Sequence, residues 1–396
     1  MMDILIPLLI GISLGTLAGL IPGLHPNTFS VFLLSLYPLG FPTQSLFIII
    51  ISAYITNSFV SFIPAVLLGA PEEGESLSVL PGHYLLLKGR GYEAIYLATL
   101  GGAYLSLLSL LLLPFLLFSI SKIYFYVREA IPFILIAVLL YLLYSEKGRR
   151  VKAMLIITFS SLLGFLILNL PLNQNYVLFA CFAGLFGGST LLFSIKTRVS
   201  IPEQTFYLER FPKLKRGILS SLIFSLFSGI MPTLTSSQST LLAQKIFRIE
   251  GKREFLFLNG AITTGYSIFS LFALFCLGKA RSGAGAAILS LPIDLGYSNL
   301  LLASGIIYLS SAFSVPIVIL LSRFLVSNLY RVKYSFLCKL MFIFLILASA
   351  FFLGIVGVAI FLTSCSLGII CQYYKVKRTL LMSVLMVPTI FLFLGI

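Results

Sequence analysis

The chain has 396 residues, 59% of them hydrophobic and only 10% charged, with a mean hydropathy of +1.09. A soluble domain carries roughly 25% charged residues, so a water-soluble enzyme and a nucleic-acid binder are both excluded. The excess of 27 Lys and Arg over 12 Asp and Glu sits in loops between apolar runs, where basic residues set membrane orientation.

In chain order, the N-terminal run Met1-Met-Asp-Ile-Leu-Ile-Pro7 has no basic region of the signal-peptide kind and no cleavage site, so it is expected to stay as a membrane helix. Apolar segments follow near 4–21, 28–39, 45–69, 93–121, 129–145, 151–169 and 174–195. After a charged stretch at 196–216 they resume near 216–231, 236–247, 255–278, 298–322, 339–353, 356–373 and 379–395. Recurrent runs of about 20 apolar residues predict an all-α polytopic membrane protein. Cys181, Cys276, Cys338, Cys365 and Cys371 lie mostly inside these runs without a Cys-x-x-Cys pair or a neighbouring histidine, and read as small core residues, with no metal site.

Two Gly/Pro-broken segments match. Gly19 and Pro22 are spaced like Gly229 and Pro232, and each pair precedes a polar cluster that opens a short apolar stretch. Downstream, Ala53-Tyr-Ile-Thr56 parallels Ala261-Ile-Thr263-Thr264. Broken hydrophobic segments at corresponding places in two halves are a signature of transporter repeats. The basic loop with Lys147, Arg149, Arg150 and Lys152 corresponds to the uncharged turn 353–357, and the uncharged turn 171–175 to the loop with Lys375, Lys377 and Arg378. Basic residues thus change sides between the halves, which implies inversion. The expected organisation is a first membrane repeat at 1–196, a cytoplasmic linker at 197–215 and a second, inverted repeat at 216–396. Each repeat is a Pro/Gly-broken hairpin plus about five transmembrane helices, and both termini face outside.

The breaks carry the candidate chemistry. Proline has no amide to donate, so a helix that stops inside a membrane leaves backbone groups needing protein, water or a ligand. An anion at the N-terminus of the next half-helix would satisfy them. The candidate substrate-binding residues are therefore Pro22, Gly23, His25, Asn27 and Thr28 at the first break, and Thr233, Thr235, Ser236, Ser237 and Gln238 at the second. Thr56, Asn57 and Thr263 join them as polar groups within apolar helices, and Lys279 and Arg281 as cations at the end of a long apolar run. The plainer alternative is a helix turn at the membrane surface with Asn27 and Ser236 as N-caps. Glu72, Glu73 and Glu75 occupy the place that matches Lys279 and Arg281. No nucleophile motif, phosphate-binding loop or intramembrane carboxylate pair is present in the sequence, so the chain is not read as an enzyme.

Gly15-x-x-x-Gly19-x-x-Pro22-Gly23-Leu24, then Leu68-Gly69-Ala70-Pro71 and Pro81-Gly82-His83-Tyr84-Leu85-Leu86-Leu87-Lys88-Gly89-Arg90-Gly91, together resemble the large membrane subunit of tripartite tricarboxylate transporters, the TctA family. The chain is most similar to the shorter archaeal-type members of unknown substrate. The resemblance implies a secondary transporter of organic anions that works with a small membrane subunit and an extracytoplasmic binding protein. The family's second Pro-Gly motif is here Pro232-Thr233-Leu234-Thr235, and its Leu-Gly-x-Pro-Gly is here Leu277-Gly278-Lys279-Ala280-Arg281.

The resulting expectation is a multi-pass protein of the cell membrane that moves small carboxylates by alternating access, the substrate held where two hairpin tips meet. No cofactor is expected, and sodium or protons are the candidate coupling ions. A translocase of lipid-linked phosphates is the alternative transport reading, and a membrane-embedded enzyme or scaffold the alternative from another class. A homodimer is compatible with such a chain; nucleic acid is not an expected partner.

Overall fold

In a computed structural model of the chain the described residues are 2–21, 30, 33–34, 36–37, 40–68, 79–146, 148–172, 174–196, 202–209, 215–231, 235–328 and 334–395. They form helices and, among the described residues, no strand. Among the described residues eight helical stretches are long and apolar enough to cross a membrane, including Met2–Leu20, Thr43–Leu67, Gly91–Leu111, Lys252–Leu277 and Tyr297–Asn328. Helix is the conformation that satisfies backbone groups inside one segment, as lipid requires. The many hydroxyls within the spans are hidden the same way: Ser52 donates to the Ile48 carbonyl at 2.7 Å and Thr99 to that of Ile95 at 2.9 Å.

The chain divides into two compact units, and neither is a sequence half. One comprises residues 1–123, 200–230 and 235–332; the other 124–199, 231–234 and 333–396. Each draws on both sides of the linker.

In the first unit, α1 (Met2–Leu20) lies along α2 (Thr43–Val60), which continues after Ser61 as α3 (Phe62–Leu68). Gly11 meets Ile49 and Ser52, Gly15 meets Ala53 and Gly19 meets Val60, so α1 and α2 run parallel with their backbones in close approach. After α4 (Val79–Leu86), α5 (Gly91–Leu111) leads into α6 (Leu113–Val127). From the later half come α11 (Lys215–Ile230), α12 (Ser236–Ile246), α13 (Lys252–Leu277), the short α14 (Gly283–Leu289) and α15 (Tyr297–Asn328). Gly265 abuts Ser225 and Gly229 abuts Phe269, so α11 and α13 also run parallel. Between the two pairs the direction reverses. Phe47 packs edge-on against Phe275 at 6.4 Å, and the Tyr54 hydroxyl lies 3.4 Å from that of Ser270, which makes α2 and α13 antiparallel. Helices α5 and α13 are parallel, since Glu93 pairs with Arg253, Gly102 meets Thr264 and Leu105 meets Gly265; Gly101 sits on Phe257 and Ala261, and Gly260 on Ala98, leaving no room for a Cβ at either glycine.

In the second unit α7 (Ile131–Tyr144), α8 (Arg150–Leu168), α9 (Gln174–Phe182), a π-turn at Ala183–Gly188, α10 (Ser189–Lys196), α16 (Tyr334–Tyr373) and α17 (Ser383–Leu394) pack together. Arg378 donates to the Phe186 carbonyl at 2.8 Å and to Ser189 Oγ at 2.9 Å, serving the π-turn. Its two basic loops meet. Arg149 donates to the Lys375 carbonyl at 2.5 Å, and the Lys377 amide to Glu146 Oε1 at 3.2 Å.

Several expected segments differ in detail. The span placed at 93–121 is interrupted at Leu112, ahead of Pro114. Segments 339–353 and 356–373, by contrast, are as expected two helices within α16, separated at Gly354 (φ 60°, ψ −145°). The chain doubles back there, because Gly357 packs on the Ser349 carbonyl. The short helices α4 and α14 were not anticipated. They are too brief for an apolar period to register.

Candidate functional site

Helix α11 stops at Ile230, two residues before Pro232, and α12 starts at Ser236. The cap is Thr235 rather than Ser236. Its side chain accepts from the Gln238 amide at 3.3 Å while Gln238 Oε1 accepts from the Thr235 amide at 3.3 Å. This capping box, worth about 1 kcal/mol, takes up the amides of Thr235 and Gln238. Ser236, Ser237 and Gln238 are all buried, so the first turn of α12 is enclosed by protein.

At the far end of α13, Gly278 adopts φ 63°, a left-handed cap that glycine takes without a steric penalty. The chain then returns along the helix it has just left. The Tyr266 hydroxyl donates to the Arg281 carbonyl at 3.1 Å, and Ser282 Oγ lies 3.3 Å from Ser270 Oγ. Ser282 also caps α14, accepting from the Gly285 amide at 3.2 Å. With Tyr54 on the other side of Ser270, a chain of three hydroxyls joins α2, α13 and the returning segment. Gly229, one residue before the end of α11, touches Phe269 and Ser270. The end of α11, the hydroxyl chain and Arg281 therefore share one level of the unit.

Lys279 and Arg281 differ in their surroundings. Lys279 is exposed and Arg281 half-buried, because the turn at Gly278 sends only the later residue back alongside α13. A second polar level lies further along α13. Thr240 Oγ1 donates to Asn259 Oδ1 at 2.9 Å, and Ser267 Oγ to the Thr263 carbonyl at 3.3 Å. Thr56 Oγ1, Asn57 Nδ2, Ser239 Oγ and Thr264 Oγ1 are buried and have no hydrogen-bond partner among the described residues. Leaving such a group unsatisfied costs about 1–3 kcal/mol.

Pro22, Gly23, His25, Asn27, Thr28 and Thr233 lie outside the described residues, as do Glu72, Glu73 and Glu75. The helix entering the first break is described, and it ends with Gly19 against Val60. Val60 is six residues from Tyr54 on α2, about 9 Å along the axis at 1.5 Å per residue. The ends of α1 and α11 thus reach levels separated by about two helical turns. Tyr54, Tyr266, Ser270 and Ser282 were not singled out from sequence. A serine or tyrosine in a span is usually a back-bonded hydroxyl, and nothing local to 282 signals that it returns to 270.

Residues 5–383 match the family described as "Tripartite tricarboxylate transporter TctA family". The chain is similar to the uncharacterized protein MJ1079 of Methanocaldococcus jannaschii, 31% identical over 402 residues that cover 98% of this chain and 99% of the relative. No solved structure matches.

Proposed function

The chain belongs to the TctA family of tripartite tricarboxylate transporters, and on that premise we propose that it carries small organic carboxylates across the cell membrane by alternating access, binding them beside the second helix break. The observation that carries this reading is the return of residues 279–282 along α13, which sets Arg281 and the Tyr54, Ser270 and Ser282 hydroxyls at the level where α11 ends. Hydroxyl donors and one guanidinium suit a carboxylate that must be released again, because conduction and transport need binding strong enough to enter and weak enough to leave. Thr235, Ser236, Ser237 and Gln238 line the same break, with Thr56, Asn57 and Thr263 as the neighbouring polar level.

Two inverted repeats, 1–196 and 216–396 joined by a cytoplasmic linker, are the proposed framework. Parallel α1/α2 and parallel α11/α13 meeting antiparallel support it, and so does the contact between the basic loops at 148–152 and 375–378. Alternating access is then one hairpin opening while its inverted counterpart closes. A sodium ion held by hydroxyl and carbonyl oxygens is the proposed coupling ion, and a small membrane subunit and an extracytoplasmic binding protein the proposed partners.

Uptake by proteoliposomes, with mono-, di- and tricarboxylates and with or without a sodium gradient, tests the reading. Losing one charge-assisted hydrogen bond should raise KM about tenfold or more in Arg281→Gln, with Lys279→Gln near wild type. Equal KM values for wild type and Arg281→Gln would remove Arg281 from the site, and absence of uptake for every carboxylate would overturn the substrate class.

A further inference from the structure

A second polar region lies at the opposite end of α13. Arg90 donates from Nε to Glu93 at 2.7 Å, Arg253 Nε lies 2.7 Å from the other Glu93 oxygen, and Glu209 closes the ring at 2.7 Å from Arg90 and 3.3 Å from Arg253. Glu93 is only 1% exposed, so the ring is a permanent structural element in which each arginine faces two carboxylates. Linker residues strap it down. Gln204 receives the Gly91 amide at 2.9 Å and donates to the Leu86 carbonyl at 3.0 Å, while the Thr205 amide donates to the Gly89 carbonyl at 2.7 Å.

Beside the ring opens a cavity of about 470 Å³, lined by Tyr84, Lys88, Arg90, Lys252, Arg253 and Glu254 among others. The ring accounts for both arginines, and Glu254 lies next to Gly217 and feels Arg216 of α11. The two lysines are left over. The Lys252 ammonium is 3.0 Å and the Lys88 ammonium 4.6 Å from the centroid of the same Tyr84 ring. Neither has a carboxylate within ion-pair distance among the described residues. Two ammonium groups gathered on one phenol ring repel each other, and a diffusible anion between them removes that cost. The first turn of α13 adds to the field: Gly251 gives it no side-chain cap, and the leading amides of a helix carry partial positive charge.

We propose that this cavity binds a phosphate-bearing anion, supplied as the headgroup of an anionic phospholipid or as free phosphate. The position favours the headgroup, because α5 and α13 begin their membrane spans here, at Gly91 and Lys252. Lysine stems with tyrosine are the residues that sit at headgroup depth. The site is independent of the carboxylate site and contains no residue assigned to it.

The full chain in phosphatidylcholine nanodiscs, titrated with phosphatidylglycerol in one arm and inorganic phosphate in the other, tests the proposal by ligand retention in native mass spectrometry. At about 1 kcal/mol per lysine near a charged surface, Lys88→Gln should lower retention about fivefold and the Lys88→Gln/Lys252→Gln double variant about 30-fold. Lys152→Gln, which removes an exposed lysine 5.5 Å from the Tyr374 ring in the other unit, should change nothing. Selective retention of phosphatidylglycerol assigns the headgroup as ligand, and retention of phosphate alone assigns the free anion. Wild-type binding of neither, an unaltered double variant, or an equal loss in Lys152→Gln would overturn the proposal.

Discussion

The two ends of α13 manage polarity by opposite means. At its start, four full charges close into a ring around the buried Glu93, backed by main-chain bonds from the linker. Near its finish, the hydroxyls of Tyr54, Ser270 and Ser282 form an open chain, and the half-buried Arg281 precedes Ser282. A closed ring satisfies itself and has no capacity for a guest. On the proposed function, the open chain of neutral hydroxyls is where the carboxylate binds.

The strongest way to break that contrast is to open the ring. Glu93→Gln should cost about 3–5 kcal/mol, because two part-buried guanidiniums lose their shared counter-charge. Thermal unfolding in detergent measures it, and a loss no larger than that of Glu209→Gln, whose side chain is 44% exposed, would mean that the ring is not a structural clamp. Gly260→Val comes next. Its Cβ branch would press on the Ala98 backbone, and overpacking of this kind costs about 1–3 kcal/mol; unfolding together with size exclusion should report a loosened α5/α13 seam.

Tyr54→Phe probes the open end. It should change stability by no more than about 1 kcal/mol and yet raise the KM for carboxylate several-fold, whereas unaltered uptake would assign that hydroxyl a packing role only. The smallest effect belongs to His83, on α4. Burial holds its imidazole below the ordinary 6.5, partly offset by a hydrogen bond with the Val66 backbone. As pH falls, the unfolded chain takes up this proton first, so stability is intact above about pH 6.5 and declines from there to the lowered folded value. His83→Gln should flatten that slope in unfolding midpoints measured between pH 7 and pH 5, and an unchanged slope would assign it to other groups.

The helix ends were legible because their causes are local. Pro22 and Pro232 announce breaks, and α1 and α11 end at Leu20 and Ile230, two residues before each. The all-α membrane class follows from apolar runs that need only be counted. Thr235 was legible as part of the second break, but its role was not. A threonine three residues before a glutamine is an anion-binding candidate and a capping box alike, and only the paired 3.3 Å contacts decide. Lys279 and Arg281 look equivalent in sequence, yet the φ of Gly278 separates them. The Tyr54, Ser270 and Ser282 chain was invisible because it joins residues up to 228 positions apart (282 minus 54) whose individual side chains are ordinary. Of the partners of Glu93, Arg253 was hidden for the same reason, whereas Arg90 stands three residues away.

The seam between α5 and α13 has a consequence for how the polypeptide is made. Gly101 and Gly260 nest against the opposite backbone, and Glu93 reaches Arg253, so residues from before and after the linker are joined by contacts that do not depend on covalent continuity between them. A gene cut within codons 197–201 would encode two fragments, each bringing one face of that seam. Co-expressed in one cell, they have the means to find each other in the bilayer and rebuild the carrier as a split protein.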